Sequence, residues 1–240
     1  MIKFFRKIRQ RLLTENRLSK YLIYAIGEIV LVMIGILLAL QVNNWNEERQ
    51  NHARVTSIFK DIQEDLLNDI KEINRFQDSF YKNEDSIANR IIKGGLTASD
   101  YLNSKNKHLL HFGLSVYNLY ITDQSFQVLN ENKSTIPEDY KAVVKDLNFL
   151  YNEYNQFMKG VINDYTKFDE NFTELLNIKP WYNTIIINDT VTKDAVNFYL
   201  SDAYKSNIYL YRDHLKKLNG ITNLIKLKAI QHYLVLNHIT

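Results

Sequence analysis

The chain has 240 residues, 45% apolar and 24% charged, which excludes wholesale disorder and allows one sizeable domain or two small ones. Seven glycines and two prolines are too few for a turn-rich β fold, and the lack of cysteine excludes disulfides, thiol catalysis, iron–sulfur clusters and cysteine-ligated zinc. The net charge of +3 hints at an acidic partner such as nucleic acid, but that charge is unevenly spread.

Residues 1–20 contain seven basic side chains and one acid, Glu15. The segment carries +6, so the other 220 residues carry −3. Ile2, Phe5, Ile8 and Leu12 recur at helical spacing, with Lys3, Arg6, Lys7, Arg9 and Arg11 mostly off that stripe. This pattern predicts a basic amphipathic helix on an anionic phospholipid surface, with no role for nucleic acid.

Tyr21–Leu40 follows, twenty residues with one charge, Glu28. At about 1.5 Å per residue it spans roughly 30 Å, the thickness of a bilayer's hydrocarbon core. It shows no polar face, exceeds the apolar region of a cleaved signal peptide and lacks an A-x-A exit, so it reads as an uncleaved signal anchor. Seven basic residues precede the span, and the nearest after it are Arg49 and Arg54. The positive-inside rule therefore predicts a cytoplasmic N-terminus in the inner membrane and an extracytoplasmic C-terminal region. Tyr21, Tyr24 and Trp45 sit where aromatic rings prefer the headgroup level.

Inside the span, Ala25, Glu28, Val32, Gly35 and Ala39 fall along one helical face, and Gly35-x-x-x-Ala39 permits close helix approach. One reading packs this face on another span, from a second copy or a membrane-protein partner. The other leaves Glu28 protonated or reaching the headgroups.

The expected domains are a basic segment at 1–20, an anchor at 21–42 and a helical bundle at 43–240. From Asn43 to Lys93 a stripe of Val55, Phe59, Ile62, Leu66, Ile70, Ile73, Phe76 and Phe80 predicts one long helix ending at Gly94-Gly95. Asp61, Asp65, Asp69 and Glu72 read as a solvated acidic face. Short helices are expected from Ser99 to about Phe112 and over Asp123–Glu131. Thr135-Ile136-Pro137-Glu138 has the form of a helix start. The stripe beyond it includes Tyr151, Tyr154, Met158, Val161 and Tyr165 and stops before Pro180. Thr184–Ile187 reads as loop, and a last helix over 191–237 has its natural kink at Gly220. The predicted fold is all-α: a transmembrane helix continuing into an antiparallel bundle of three to four long helices.

Phosphate loops, the nucleophile elbow and H-E-x-x-H are all missing from the sequence, and His108 and His111 have no obvious third ligand. No enzyme activity, cofactor or metal is expected.

The run from Ala25 to Glu47, AIGEIVLVMIGILLALQVNNWNE, with its leader FFRKIRQRLL, resembles a family of uncharacterised bacterial single-pass membrane proteins. Ser125-Phe-Gln-Val-Leu129 and Asp139-Tyr-Lys141 resemble it more loosely, and Asn132-Lys133-Ser134 stands where the family often has a Gly-containing turn. The resemblance implies an inner-membrane anchor with a helical extracytoplasmic part, and no catalytic or binding residues. The expected function is a non-enzymatic envelope scaffold or protein-interaction module. The alternative is a small-molecule sensor signalling through a membrane partner. A pocket with convergent polar groups would favour the sensor, and a continuous packed core the scaffold.

Overall fold

The computed structural model describes residues 18–114, 116–188 and 190–240, with side chains from Leu22 onward. The leader with Lys3, Arg6, Lys7, Arg9 and Arg11 lies outside the described residues, as does the side chain of Tyr21. Every regular element among the described residues is helical, as the apolar periodicity predicts. The chain divides into two compact units, Met1–Arg54 and Val55–Thr240.

Helix α1 runs Leu18–Arg75 and belongs to both units. In the first unit it carries the apolar span. In the second unit a π-helical turn, Phe76–Tyr81, leads into α2, Lys82–Ile92. Gly94, at φ +70°, ends this run where the Gly-Gly pair predicts. A connector follows: α3 (Ala98–Leu102), a 3-10 helix at Ser104–His111 and α4 (Gln124–Glu131). The cap of α3 is Thr97, two residues before the expected Ser99. Its backbone N–H donates to Asp100 Oδ2 at 2.7 Å in a capping box.

Around the expected start at Thr135 the chain makes two 3-10 turns, Lys133–Thr135 and Glu138–Tyr140, and regular helix begins only with α5, Lys141–Asn148. A second π turn, Phe149–Tyr154, joins α5 to α6, Asn155–Asn177.

The segment read as loop is helix α7, Pro180–Asn188. Pro180 at its first position costs no hydrogen bond, and burial of Tyr182 and Ile185 outweighs the β-branched preference of Thr184–Ile187. The last helix is two helices: α8, Lys193–Leu200, and α9, Asp202–Ile239. Ser201 makes the break. Its Oγ donates to Phe198 O at 2.6 Å, closing α8, and accepts from Tyr204 N at 3.2 Å, opening α9. Gly220 lies inside α9, which continues past it to Ile239.

Three long runs build the second unit. Pairings of Gln63 with Thr240, Gln77 with Asn219 and Tyr211 with Glu84 set α9 antiparallel to the first run. Ring contacts Tyr165–Tyr211 and Phe172–Tyr204 set it antiparallel to α6 as well. The first two runs consequently point the same way, and the connector carries the chain back between them. Their apolar stripes merge into one core, with Tyr101 stacked on Tyr199 at 5.1 Å and Phe126 on Tyr151 at 4.6 Å. Gly113 sits in that core at φ +90°, where a Cβ would meet Ile208 Cδ1 at 3.0 Å and Phe172 Cε1 at 3.2 Å. Only glycine has both the backbone freedom and the room.

Candidate functional site

Two places in the molecule carry features that packing alone does not explain, one in each unit.

In the first unit, the span between Leu22 and Val42 leaves its leucines, isoleucines and valines exposed, from Val30 at 46% to Ile23 and Leu31 at 69%. One helix of the chain is thus long and apolar enough to cross a membrane, and none of its most apolar window is buried by the protein. Of the predicted partner face, Glu28, Val32, Gly35 and Ala39 are exposed and Ala25 is half-buried. A Cβ on Gly27 or Gly35 would meet nothing within 4 Å, so the close approach that small residues permit is open on this surface. Tyr24 and Trp45 are also exposed. The Arg49 guanidinium lies 5.6 Å from the Trp45 ring centroid, and Asn43 Nδ2 donates to Glu47 Oε1 at 2.9 Å, so the turn beyond the span is polar and internally bonded.

In the second unit, the acidic row on α1 is only partly the solvated face expected. Asp61 and Glu72 are exposed, but Asp69 is 3% exposed. Its Oδ1 accepts from both the backbone N–H (3.0 Å) and the hydroxyl (2.9 Å) of Thr122. One turn earlier, Asp65 Oδ2 accepts from Ser125 N at 3.3 Å, in the first turn of α4. This satisfies an otherwise free helix-end donor and complements the helix dipole. The two carboxylates therefore clamp the connector onto α1. Burial raises the Asp69 carboxyl to about 6; the Thr122 hydrogen bonds oppose the rise, and the charges of Asp65 and Asp123 add to it. Asp69 Oδ2 is buried and has no hydrogen-bond partner.

Facing this clamp is the second π turn. A π turn holds one more residue than an α turn, and here both Leu150 and Tyr151 are buried within it. Periodicity places Tyr154 in the core; the structure buries Asn155 instead, at 2% exposed, and leaves Tyr154 half-exposed. Asn155 Oδ1 and the Tyr151 hydroxyl are also buried without hydrogen-bond partners. Burial raises the Tyr151 hydroxyl, and the charges of Asp69, Asp65 and Asp123 add to that, placing it in the same neighbourhood.

Asn155 lines a cleft of about 450 Å³ between the connector and α6. Leu119, Ile121, Met158 and Ile162 provide its apolar wall, and Asp123 and Lys159 bring opposite charges to it. The volume suits a small molecule. Sequence reading missed Asp69, Tyr151, Asn155 and Asp123 as a group, and with them Lys159. One signal was available: Asp69 falls in phase with Leu66 and Ile73, a carboxylate on an apolar stripe.

A third polar group bridges α2 and α9. Tyr211 Oη donates to Glu84 Oε2 at 2.5 Å, and Arg212 meets Asp85 in two hydrogen bonds of 2.7 and 3.3 Å. Burial raises both Glu84 and Tyr211. With both polar partners supplied by the fold, this pair locks helices together. His108 and His111 are exposed on the 3-10 helix, and among the described residues no cluster of three or more His, Asp or Glu side chains could hold a metal ion.

No curated protein and no solved structure matches the chain. Residues 28–107 match a family of unknown function (DUF6090), a stretch that takes in most of the apolar span, its Gln41–Glu47 flank and the first long run of the second unit.

Proposed function

We propose that this chain is a membrane-anchored, non-enzymatic protein of the bacterial envelope. Its N-terminus is cytoplasmic, and its helical unit lies outside the inner membrane as a scaffold or protein-interaction module. The observation that carries this reading is the exposure of the 22–42 segment, whose apolar side chains have no aqueous solution. The basic leader sets the orientation and binds anionic phospholipid. The face of Ala25, Glu28, Val32, Gly35 and Ala39 packs on a second copy or on a membrane-protein partner. Protease added to spheroplasts tests the orientation: it should digest the C-terminal unit and spare an N-terminal tag. A protected C-terminal unit would overturn it. Crosslinking from the Glu28 face in cells, followed by purification in detergent, tests the scaffold. Repeated recovery of one envelope protein supports it, and recovery of no crosslinked protein counts against it.

A second reading, an extracytoplasmic sensor signalling through a membrane partner, is favoured by one observation: the cleft at Asn155, with a buried polar atom left unpartnered in its wall.

A further inference from the structure

The chemistry of the Asn155 cleft specifies what it would hold; this inference rests on the sensor reading above. Asn155 Oδ1 is an acceptor, withdrawn from bulk water and unmatched by any donor of the protein. A buried polar group in that state is destabilising unless something donates to it. Asp123 adds a carboxylate to the same lining. Behind them, Asp69 Oδ2 and the Tyr151 hydroxyl are buried and unpartnered too. Tyr120, Asn163 and Thr166 add neutral polar groups to the lining, so the fixed charge on the connector side of the cleft is that of Asp123, which a cationic donor complements. Lys159 supplies a single cation on the α6 side. One turn before and one turn after Asn155–Lys159, Tyr151 and Ile162 keep the same helix face toward the core. Leu119, Ile121, Met158 and Ile162 make the apolar part of the wall.

We infer that this cleft is a binding site for a small zwitterion with an aliphatic body, most simply an aliphatic α-amino acid. Its ammonium donates to Asn155 Oδ1 and pairs with Asp123, its carboxylate meets Lys159, and its side chain lies against Leu119, Ile121, Met158 and Ile162. The clamp of Asp65 and Asp69 on Thr122 and Ser125 fixes the connector that forms half of the site, so occupancy bears directly on how α4 is held against α1.

The test uses the full-length protein in detergent micelles, with thermal unfolding as readout. Millimolar L-leucine should raise the Tm by roughly 2–5 °C. Asn155→Leu, which fills the polar side, should abolish the shift. Lys159→Gln, at an exposed position, should keep the fold and reduce the shift by at least half. Isoamylamine, the same body without the carboxylate, should shift wild type less than L-leucine and leave Lys159→Gln and wild type alike. No shift with L-leucine in a protein that unfolds cooperatively overturns the assignment. If, in addition, a defined mixture of sugars, carboxylates and nucleosides gives a shift that Asn155→Leu removes, the sensor reading stands and only the ligand class is wrong. If that mixture gives none, both fall.

Discussion

Leucine, isoleucine and valine are disposed of in opposite ways in the two units. Between Leu22 and Val42 all of them stand exposed, while between Val55 and Thr240 most are packed into one continuous core. The second unit also withdraws Asp69, Asn155 and Thr222 from water. Near-uniform apolarity without a polar face asks for a different solvent, whereas an apolar stripe with polar flanks asks for other helices. Exposure of a single apolar residue says little, but thirteen exposed leucines, isoleucines and valines between Leu22 and Val42 define the medium.

The largest effect should come from breaking the first half of that contrast. Leu31→Arg with Ile34→Arg places two charges mid-span, each costing about 2.5–3.5 kcal/mol on insertion scales. Carbonate extraction should move the double variant out of the membrane pellet while circular dichroism still reports a helical second unit. A double variant that stays in the pellet would rule out the span.

The withdrawn charge of Asp69 gives the next largest effect. Its carboxyl is raised from 3.8 to about 6, so the folded chain holds a proton that the unfolded chain has lost between those values. Stability should therefore fall as pH rises from about 4 to about 6, by at most roughly 3 kcal/mol, and stay level above that. Asp69→Asn keeps an oxygen for Thr122 and removes the titration. Urea denaturation across this range should show a flatter profile for the variant, and an unchanged slope would refute the assignment.

Gly113→Ala probes the density of the second unit. The methyl meets Ile208 and Phe172, and the positive φ penalises any side chain, so a loss of about 2 kcal/mol is expected in chemical denaturation. The same substitution at Gly35, where nothing lies within 4 Å, should leave the second unit's unfolding unchanged.

The span, the core stripes and the stop at Gly94 were legible because each rests on one periodicity or one residue's backbone freedom. Three things were not. The break at Ser201 depends on a hydroxyl that bonds in both directions, while the apolar stripe runs through it undisturbed. Helix α7 overrides local preference by burial of Tyr182 and Ile185, which no local pattern displays. The cleft depends on which of two adjacent residues turns inward: Tyr154 and Asn155 both fall between Tyr151 and Met158 on the stripe, apolarity favours the tyrosine, and the fold buries the asparagine. The buried carboxylate of Asp69 was visible as a misfit in phase, but its partner Thr122 lies 53 positions away.

The wider turn at Phe149–Tyr154 has a consequence for how the helix tolerates a change in length. A one-residue insertion elsewhere in α6 would swing everything after it by about 100° and bring Met158, Tyr165 and Phe172 out of the core. A π turn absorbs the same insertion locally and keeps both flanking stripes in frame. The Phe149–Tyr154 turn behaves as a spare residue in the helix's reading frame, and Asn152, exposed within it, is the natural one to remove. Deleting Asn152 should lower the Tm far less than deleting Gln156. It would restore an ordinary helix and relax the geometry that lines the cleft with an amide.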